Sequence, residues 1–333
     1  MRTVIIMAAM AIVAVAYVFF LSINPNKEDT NQYNLLFPDL FNALDKIEKI
    51  EMVKKSDKLV LKKIKKQWVV ENADNYPANV STIRKFLLNL TEVKTINTKT
   101  TDPSQYRNLA VNNIEEEGQN RFQITIFNGS GNEITKFTVK ENFHNGNRTF
   151  IKKAKQKEVF ETQGALSLSL NKIKWLHADI ADIPSKAISS ITVDHLDEQF
   201  TLVRMDNSSI HFKIDKLDDD FSEKSPMFTS ALAAFLESLK FNDVKRKEIT
   251  NESKRLSSFI FTTTSNEEIK IEDFQTKSGI FTEFSIVKNP SLETSSIFIY
   301  PDLIRKFVFK LPKYKRRLLD RRLSDLTKKY DVK

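Results

Sequence analysis

Hydrophobic positions change their spacing several times along this chain, and each spacing predicts a different element. From Val4 to Ile23 no charged side chain interrupts an apolar run. About twenty helical residues at 1.5 Å each reach about 30 Å, the thickness of a bilayer's hydrocarbon core. The run predicts one transmembrane helix over 1–23, with Val4, Ile5, Ile6, Ile12, Val13, Val15, Val18, Phe19, Phe20 and Leu21 as its lipid-facing anchor residues. Two other readings exist: a signal peptide cut at Ala14-Val15-Ala16, and a buried soluble helix. Cleavage would leave the apolar Tyr17–Leu21 at the new end, which favours the anchor.

Residues 24–36 are polar and aperiodic and read as a tether. After Phe37 the pattern turns strand-like. Ile47, Ile50, Met52 and Val53 predict a first strand, and Leu59–Leu61 with Trp68–Val70 predict a hairpin. Ile83, Phe86, Leu87 and Leu90 form an apolar stripe at helical spacing, with Asn79 or Ser81 as its cap. Residues 121–127 alternate, a Gly-rich turn follows at 128–132, and 133–139 returns. Phe150-Ile151 reads as a short strand and 162–176 as a closing helix.

The pattern then recurs. Ile191 and Val193 echo Ile50 and Met52, and Phe200 and Leu202 echo Leu59 and Leu61. Leu232, Phe235, Leu236 and Leu239 repeat the helical stripe. Phe259, Phe261 and Ile269 match Ile124, Ile126 and Ile134, while Phe298 and Phe307 match Phe150 and Val159. The expected fold class is α+β: two tandem, similar β-rich units, each with a packed helix, after the N-terminal span. The units are placed at 37–180 and 181–311, with a basic helix over 312–333.

Composition narrows the picture. Cys is absent, which excludes disulfides, thiolate metal sites and an N-terminal lipoprotein cysteine. The formal net charge is +9, with Arg2 the sole charge in the first 23 residues. Beside a membrane anchor this balance points to anionic lipid or an envelope polymer, not nucleic acid. Arg2 also favours a cytoplasmic N-terminus, and long C-terminal domains translocate largely regardless of charge. The expected location is the inner membrane, single-pass, with residues 24–333 outside the cytoplasm.

Phe37-Pro38-Asp39-Leu40, the Ile47–Met52 strand, Leu59–Leu61, Trp68–Val70, Tyr76-Pro77-Ala78 and Asp102-Pro103 occur in that order. This series resembles the domain-of-unknown-function 4340 family over roughly residues 1–300. The resemblance implies a bacterial protein with one membrane span and β-rich units outside it. Some members lie beside genes for ABC-type transport systems related to gliding-motility accessory proteins. The chain departs from the family at Tyr106-Arg107-Asn108-Leu109, where a Tyr-Gly-Leu turn is usual.

Chemistry is sparse in the sequence. The six glycines form neither a P-loop nor G-x-G-x-x-G, so no nucleotide cofactor is implied. His144, His177, His195 and His211 are scattered; His195 and His211 are a weak zinc candidate across paired strands. Asp215, Asp218, Asp219, Asp220 and Glu223 lack the spacing of a calcium loop. No G-x-S-x-G elbow is present. Trp68 and Trp175 lie among apolar neighbours and read as core, and Lys62, Lys63, Lys65 and Lys66 as a solvated strand face.

The C-terminus is the most charged segment. Lys313, Lys315, Arg316, Arg317, Arg321 and Arg322 either contact anionic headgroups or decorate a helix that docks on its own domain. The function expected from all this is non-catalytic: a membrane-held accessory or scaffold subunit of an envelope complex, with protein partners bound through sheet edges and the apolar helix face. An envelope hydrolase and a ligand-binding module acting on a surface polymer are the alternatives.

Overall fold

The computed structural model describes residues 34–116, 121–140, 148–164, 166–206, 209, 211–247, 253–288 and 298–329. The anchor residues between Val4 and Leu21 lie outside them. Among the described residues no helix is long and apolar enough to cross a membrane. The molecule is a β-rich α+β protein.

The first sheet is built from β1 (Ile47–Lys54), β2 (Asp57–Ile64), β3 (Gln67–Val70) and β4 (Tyr76–Pro77). Helix α1 (Val80–Thr91) follows, then β5 (Lys94–Thr100), β6 (Arg121–Asn128), β7 (Glu133–Lys140), β8 (Arg148–Lys153) and β9 (Val159–Gln163). Its order is β4-β3-β2-β1-β6-β7-β8-β9-β5. A short β10 (Asp179–Ala181) leads into β11 (Ile188–Asp194), β12 (Gln199–Arg204), β13 (Phe212–Ile214) and β14 (Phe221–Glu223). Helix α2 (Pro226–Ala233) precedes β15 (Leu239–Lys240), β16 (Asp243–Arg246), β17 (Lys254–Thr263), β18 (Glu268–Thr276) and β19 (Gly279–Lys288). The chain closes with α3 (Pro301–Ile304), β20 (Phe307–Lys310), α4 (Lys313–Leu319), α5 (Leu323–Leu326) and β21 (Thr327–Lys329).

The second sheet runs β13-β12-β11-β17-β18-β19-β20-β16. Apart from β4, that order matches the first sheet strand for strand. The registers agree as well. Ile50 faces Leu61 and Ile126, and Ile191 faces Leu202 and Phe261. In both sheets a strand that follows the helix returns to the far edge, β5 pairing with β9 and β16 with β20; in the second unit the short β15 comes between and pairs with β10.

Alternation explains these strands. Ile50, Met52, Leu59, Leu61, Ile124 and Ile126 turn one face inward and are buried. The Asn79 side chain caps α1, its Oδ1 accepting from Thr82 N at 3.1 Å. Ile83, Phe86, Leu87 and Leu90 of that helix are buried, and Phe86 meets Trp175 edge-to-face at 5.7 Å.

Four details differ from the sequence reading. Residues 162–176 form no α-helix: Leu166, Leu168 and Leu170 alternate with Ser167 and Ser169, a strand period, and only Lys172–Trp175 coils into a 3-10 turn. Ile269 pairs with Phe261 while Thr135 pairs with Ile126, because a bulge shifts the first sheet by one residue. Phe298 lies beyond β19 and bridges to Ala181, so it is no counterpart of Phe150 in β8. The tether's last residues belong to the fold, since Leu35 bridges to Lys94 and Leu36 is buried.

The two sheets meet at an aromatic seam. Tyr76 is 1% exposed, its ring 4.9 Å from Phe307 and 5.4 Å from Phe241. Phe309 stands 5.1 Å from Phe241 and 6.1 Å from Phe284. Beside the rings, Arg246 N donates to Asp74 Oδ2 at 2.9 Å and Lys172 pairs with Asp243 at 2.6 Å. Burial raises the Tyr76 phenol above its ordinary value, as do the nearby Tyr300 and Asp179.

Tyr76→Ala is expected to cost roughly 3–5 kcal/mol in urea unfolding, the usual range for removing a buried aromatic ring; a loss below about 1 kcal/mol contradicts the seam's role. Glu51 tests the outer face of the first sheet. Burial raises its carboxyl, but hydrogen bonds from Lys58 and Lys49 outweigh that and hold it below the ordinary 4.5. A lowered carboxylate stabilises the fold above its unfolded pKa and loses that contribution as pH falls through the folded value. Wild type is therefore expected to lose more stability than Glu51→Gln between about pH 6 and about pH 3. Parallel losses contradict the assignment.

Candidate functional site

The residues with chemical potential do not converge. His195 lies in the turn before β12 and His211 in the turn after it, at opposite ends of that strand, so the zinc candidate across paired strands fails on geometry. The His195 ring instead bonds the Arg321 carbonyl through Nε2 at 2.8 Å and packs edge-to-face on Phe259. The acidic run is a turn: Asp218 Oδ1 accepts from Asp220 N, and Glu223 Oε1 accepts from Ile214 N at 2.6 Å. Among the described residues no group of three or more His, Asp or Glu is arranged to hold a metal. Trp68 and Trp175 are both buried, and Trp175 Nε1 donates to Ser169 O at 2.9 Å.

The C-terminal segment is not one helix. Over its described residues it breaks into α4, α5 and β21, because Asp320–Arg322 leave the helical path and β21 pairs with β14. Four of its cations, Lys315, Arg316, Arg321 and Arg322, bind other groups of the protein. Lys315 is 6% exposed, and its ammonium donates to the carbonyls of Ala234, Phe235 and Glu237 at 3.0, 2.7 and 2.6 Å. It therefore caps the turn after α2. Burial holds this ammonium below the usual lysine value, with Glu237 and Asp182 pulling the other way.

Arg316 reaches Asp273 Oδ2 at 2.6 Å and Asp320 Oδ1 at 2.8 Å. Asp273 is fully buried in β18, and Thr282 and Ser257 donate to it at 2.6 and 3.1 Å. Arg321 donates to the Phe228 carbonyl and lies over that ring, while Arg322 pairs with Asp197. Of the six cations considered for headgroup contact, Lys313 and Arg317 are the exposed ones.

The modes of partner binding expected from sequence also change. The apolar face of α1 is consumed by the core. Three sheet edges are covered: just after β4, Ala78 bridges to Leu176 and Asn79 N donates to Trp175 O at 2.7 Å; on β16, Arg246 N donates to Asp74 Oδ2; and β13 is met by Glu223, Ser230 and Thr229, whose hydroxyl donates to Phe212 O. On the fourth edge, Leu36 N donates to Val93 O and Thr95 N to Asn34 O, both at 2.8 Å.

Two exposed surfaces stand out instead. Around the start of α2, Met227 is 75% and Phe228 42% exposed, with Phe221 on the neighbouring β14 also exposed. The other surface is one end of the first sheet. The β2–β3 turn there is Lys65-Lys66, with φ of 48° and 68°. Both residues are left-handed, a conformation costing an L-residue roughly 1–2 kcal/mol, where Asn-Gly is preferred. Ile64 is exposed beside it. The sequence signal for this end was the lysine doublet, which alternation alone assigns to a strand. An open concavity of about 550 Å³ lies at the other end, among Lys54, Lys55, Phe122, Leu168 and Lys174.

A family model, Domain of unknown function (DUF4340), matches residues 68–244. No curated protein and no solved structure matches the chain.

Arg316→Met is expected to destabilise the protein by roughly 3–5 kcal/mol, because it strands the Asp273 carboxylate in the interior. Adding Asp273→Leu to that variant is expected to restore part of the loss. Lys313→Gln with Arg317→Gln should stay within about 0.5 kcal/mol of wild type. Equal losses from the two pairs in chemical denaturation contradict the division into buried and solvated cations.

Proposed function

Because the chain belongs to the DUF4340 family of domains of unknown function, its role has to be read from its own surfaces, and we propose a non-catalytic, membrane-anchored scaffold or accessory subunit. In this reading residues 1–23 anchor it in the inner membrane, and two units that arose by duplication stand outside the cytoplasm as one body. The observation that carries the reading is the exposed apolar patch at Met227 and Phe228, which are 75% and 42% exposed. A continuous core runs through both sheets, so the patch is not a consequence of poor packing. Exposed apolar clusters of this kind mark protein docking sites. The Arg321 guanidinium over Phe228 adds a cation at the patch edge, a composition favoured in interfaces.

The partner class follows from the family resemblance: subunits of an ABC-type transport system. Affinity isolation from gently solubilised membranes tests this. Wild type is expected to recover transporter subunits, and Met227→Glu to lose them at unchanged thermal stability. Repeated recovery of this protein alone contradicts the scaffold role.

A further inference from the structure

We propose that the Lys65-Lys66 end of the first sheet rests on the anionic headgroups of the membrane that holds the chain. The inference deepens the anchor reading above and rests on it. Chain direction is the first support. Leu35 bridges to Lys94 and Asn34 O accepts from Thr95 N, so this segment runs antiparallel to β5. Followed toward the N-terminus, the backbone at Asn34 is heading for the Thr100 end of β5. Antiparallel pairing puts that end level with the β2–β3 turn, the start of β1 and the β8–β9 turn. Ten residues separate Ile23 from Asn34, a reach of at most about 35 Å. The remaining length of β5 from Thr95 accounts for about 17 Å of height. The described chain at Asn34 is thus directed at the Lys65-Lys66 end, and the tether is long enough to reach a membrane lying there.

Charge is the second support. Lys65, Lys66, Lys155 and Lys157 are all exposed on two of the three hairpin tips at this end, with Lys46 at the foot of β1. Glu133 pairs with Lys155 at 3.6 Å, and with Asp45, Asp102 and Glu158 nearby these five lysines outnumber the acids by one. Ile64, next to Lys65, is 41% exposed. Cations beside an exposed apolar side chain suit the interfacial zone of an anionic bilayer.

The absence of cysteine supplies the test. The full chain carries one fluorophore at Gln67→Cys, beside the tip, or at Ser56→Cys, on the opposite hairpin turn. Each is reconstituted with vesicles of phosphatidylcholine, alone or with phosphatidylglycerol, containing a headgroup-attached quencher. Quenching at 67 is expected to exceed quenching at 56, and to do so only with phosphatidylglycerol present. In Lys65→Asn with Lys66→Gly the turn gains its preferred residues while losing both charges. Quenching at 67 should then fall to the level at 56, with thermal stability held or raised. Equal quenching at both positions, or quenching at 67 that ignores phosphatidylglycerol, overturns the inference. Flotation separates the two readings. Protein floating with both vesicles but lacking tip quenching keeps the anchor and sinks this surface. Flotation with anionic vesicles alone, with tip quenching, keeps the surface and sinks the anchor; flotation with neither sinks both.

Discussion

One aromatic contact determines whether this protein is one body or two. Tyr76 stands on a two-residue strand at the edge of the first sheet and inserts between Phe241 and Phe307 of the second. A buried aromatic ring contributes about 1.5–3 kcal/mol through area alone, with edge-to-face geometry adding about 0.5–1.5 kcal/mol per pair. The ion pair from Lys172 to Asp243 and the Arg246 amide on Asp74 fix the orientation that the rings permit. Beside the seam, the Trp175–Leu176 segment covers the end of β4 and Asp74 accepts from Arg246 N on the edge of β16. Among the described residues, the fold therefore spends the edges of its two large sheets internally.

The same economy governs the charged C-terminus. By sequence it is a basic amphipathic stretch, and charge counting cannot distinguish a headgroup contact from an interior cap. The difference lies in acceptors far away in the chain. Lys315 finds three carbonyls at the end of the α2 turn, and Arg316 finds Asp273 in the middle of β18. Breaking either leaves a buried charge or bare carbonyls, so the cations act as fasteners of the second unit. Those partners are separated from the cations by roughly 40–80 residues, a relation no local pattern encodes.

Where a local pattern does exist, the sequence was legible. Ile50 with Met52 and Ile191 with Val193 stand at the same register positions because alternation fixes which face is buried. Asn79 was readable as a cap because its side chain bonds only three residues ahead. Strand β5 was missed because Lys94–Thr100 carries a single apolar residue, Ile96, as befits an edge. The helix expected near 162–176 failed because its leucines repeat every two residues. Of the candidate surfaces, the Met227–Phe228 patch was invisible: the sequence shows apolar residues at a helix start, and only the packing leaves them exposed.

Everything proposed about location hangs on residues 4–23 remaining in lipid while the folded part stands outside the cytoplasm. Alkaline carbonate extraction of membranes, followed by protease treatment of sealed right-side-out and inside-out vesicles, measures both at once. The expected result is a full-length chain that stays in the carbonate pellet and is digested from the outer face alone. Release of the full-length chain into the carbonate supernatant, or digestion from the cytoplasmic face, contradicts it.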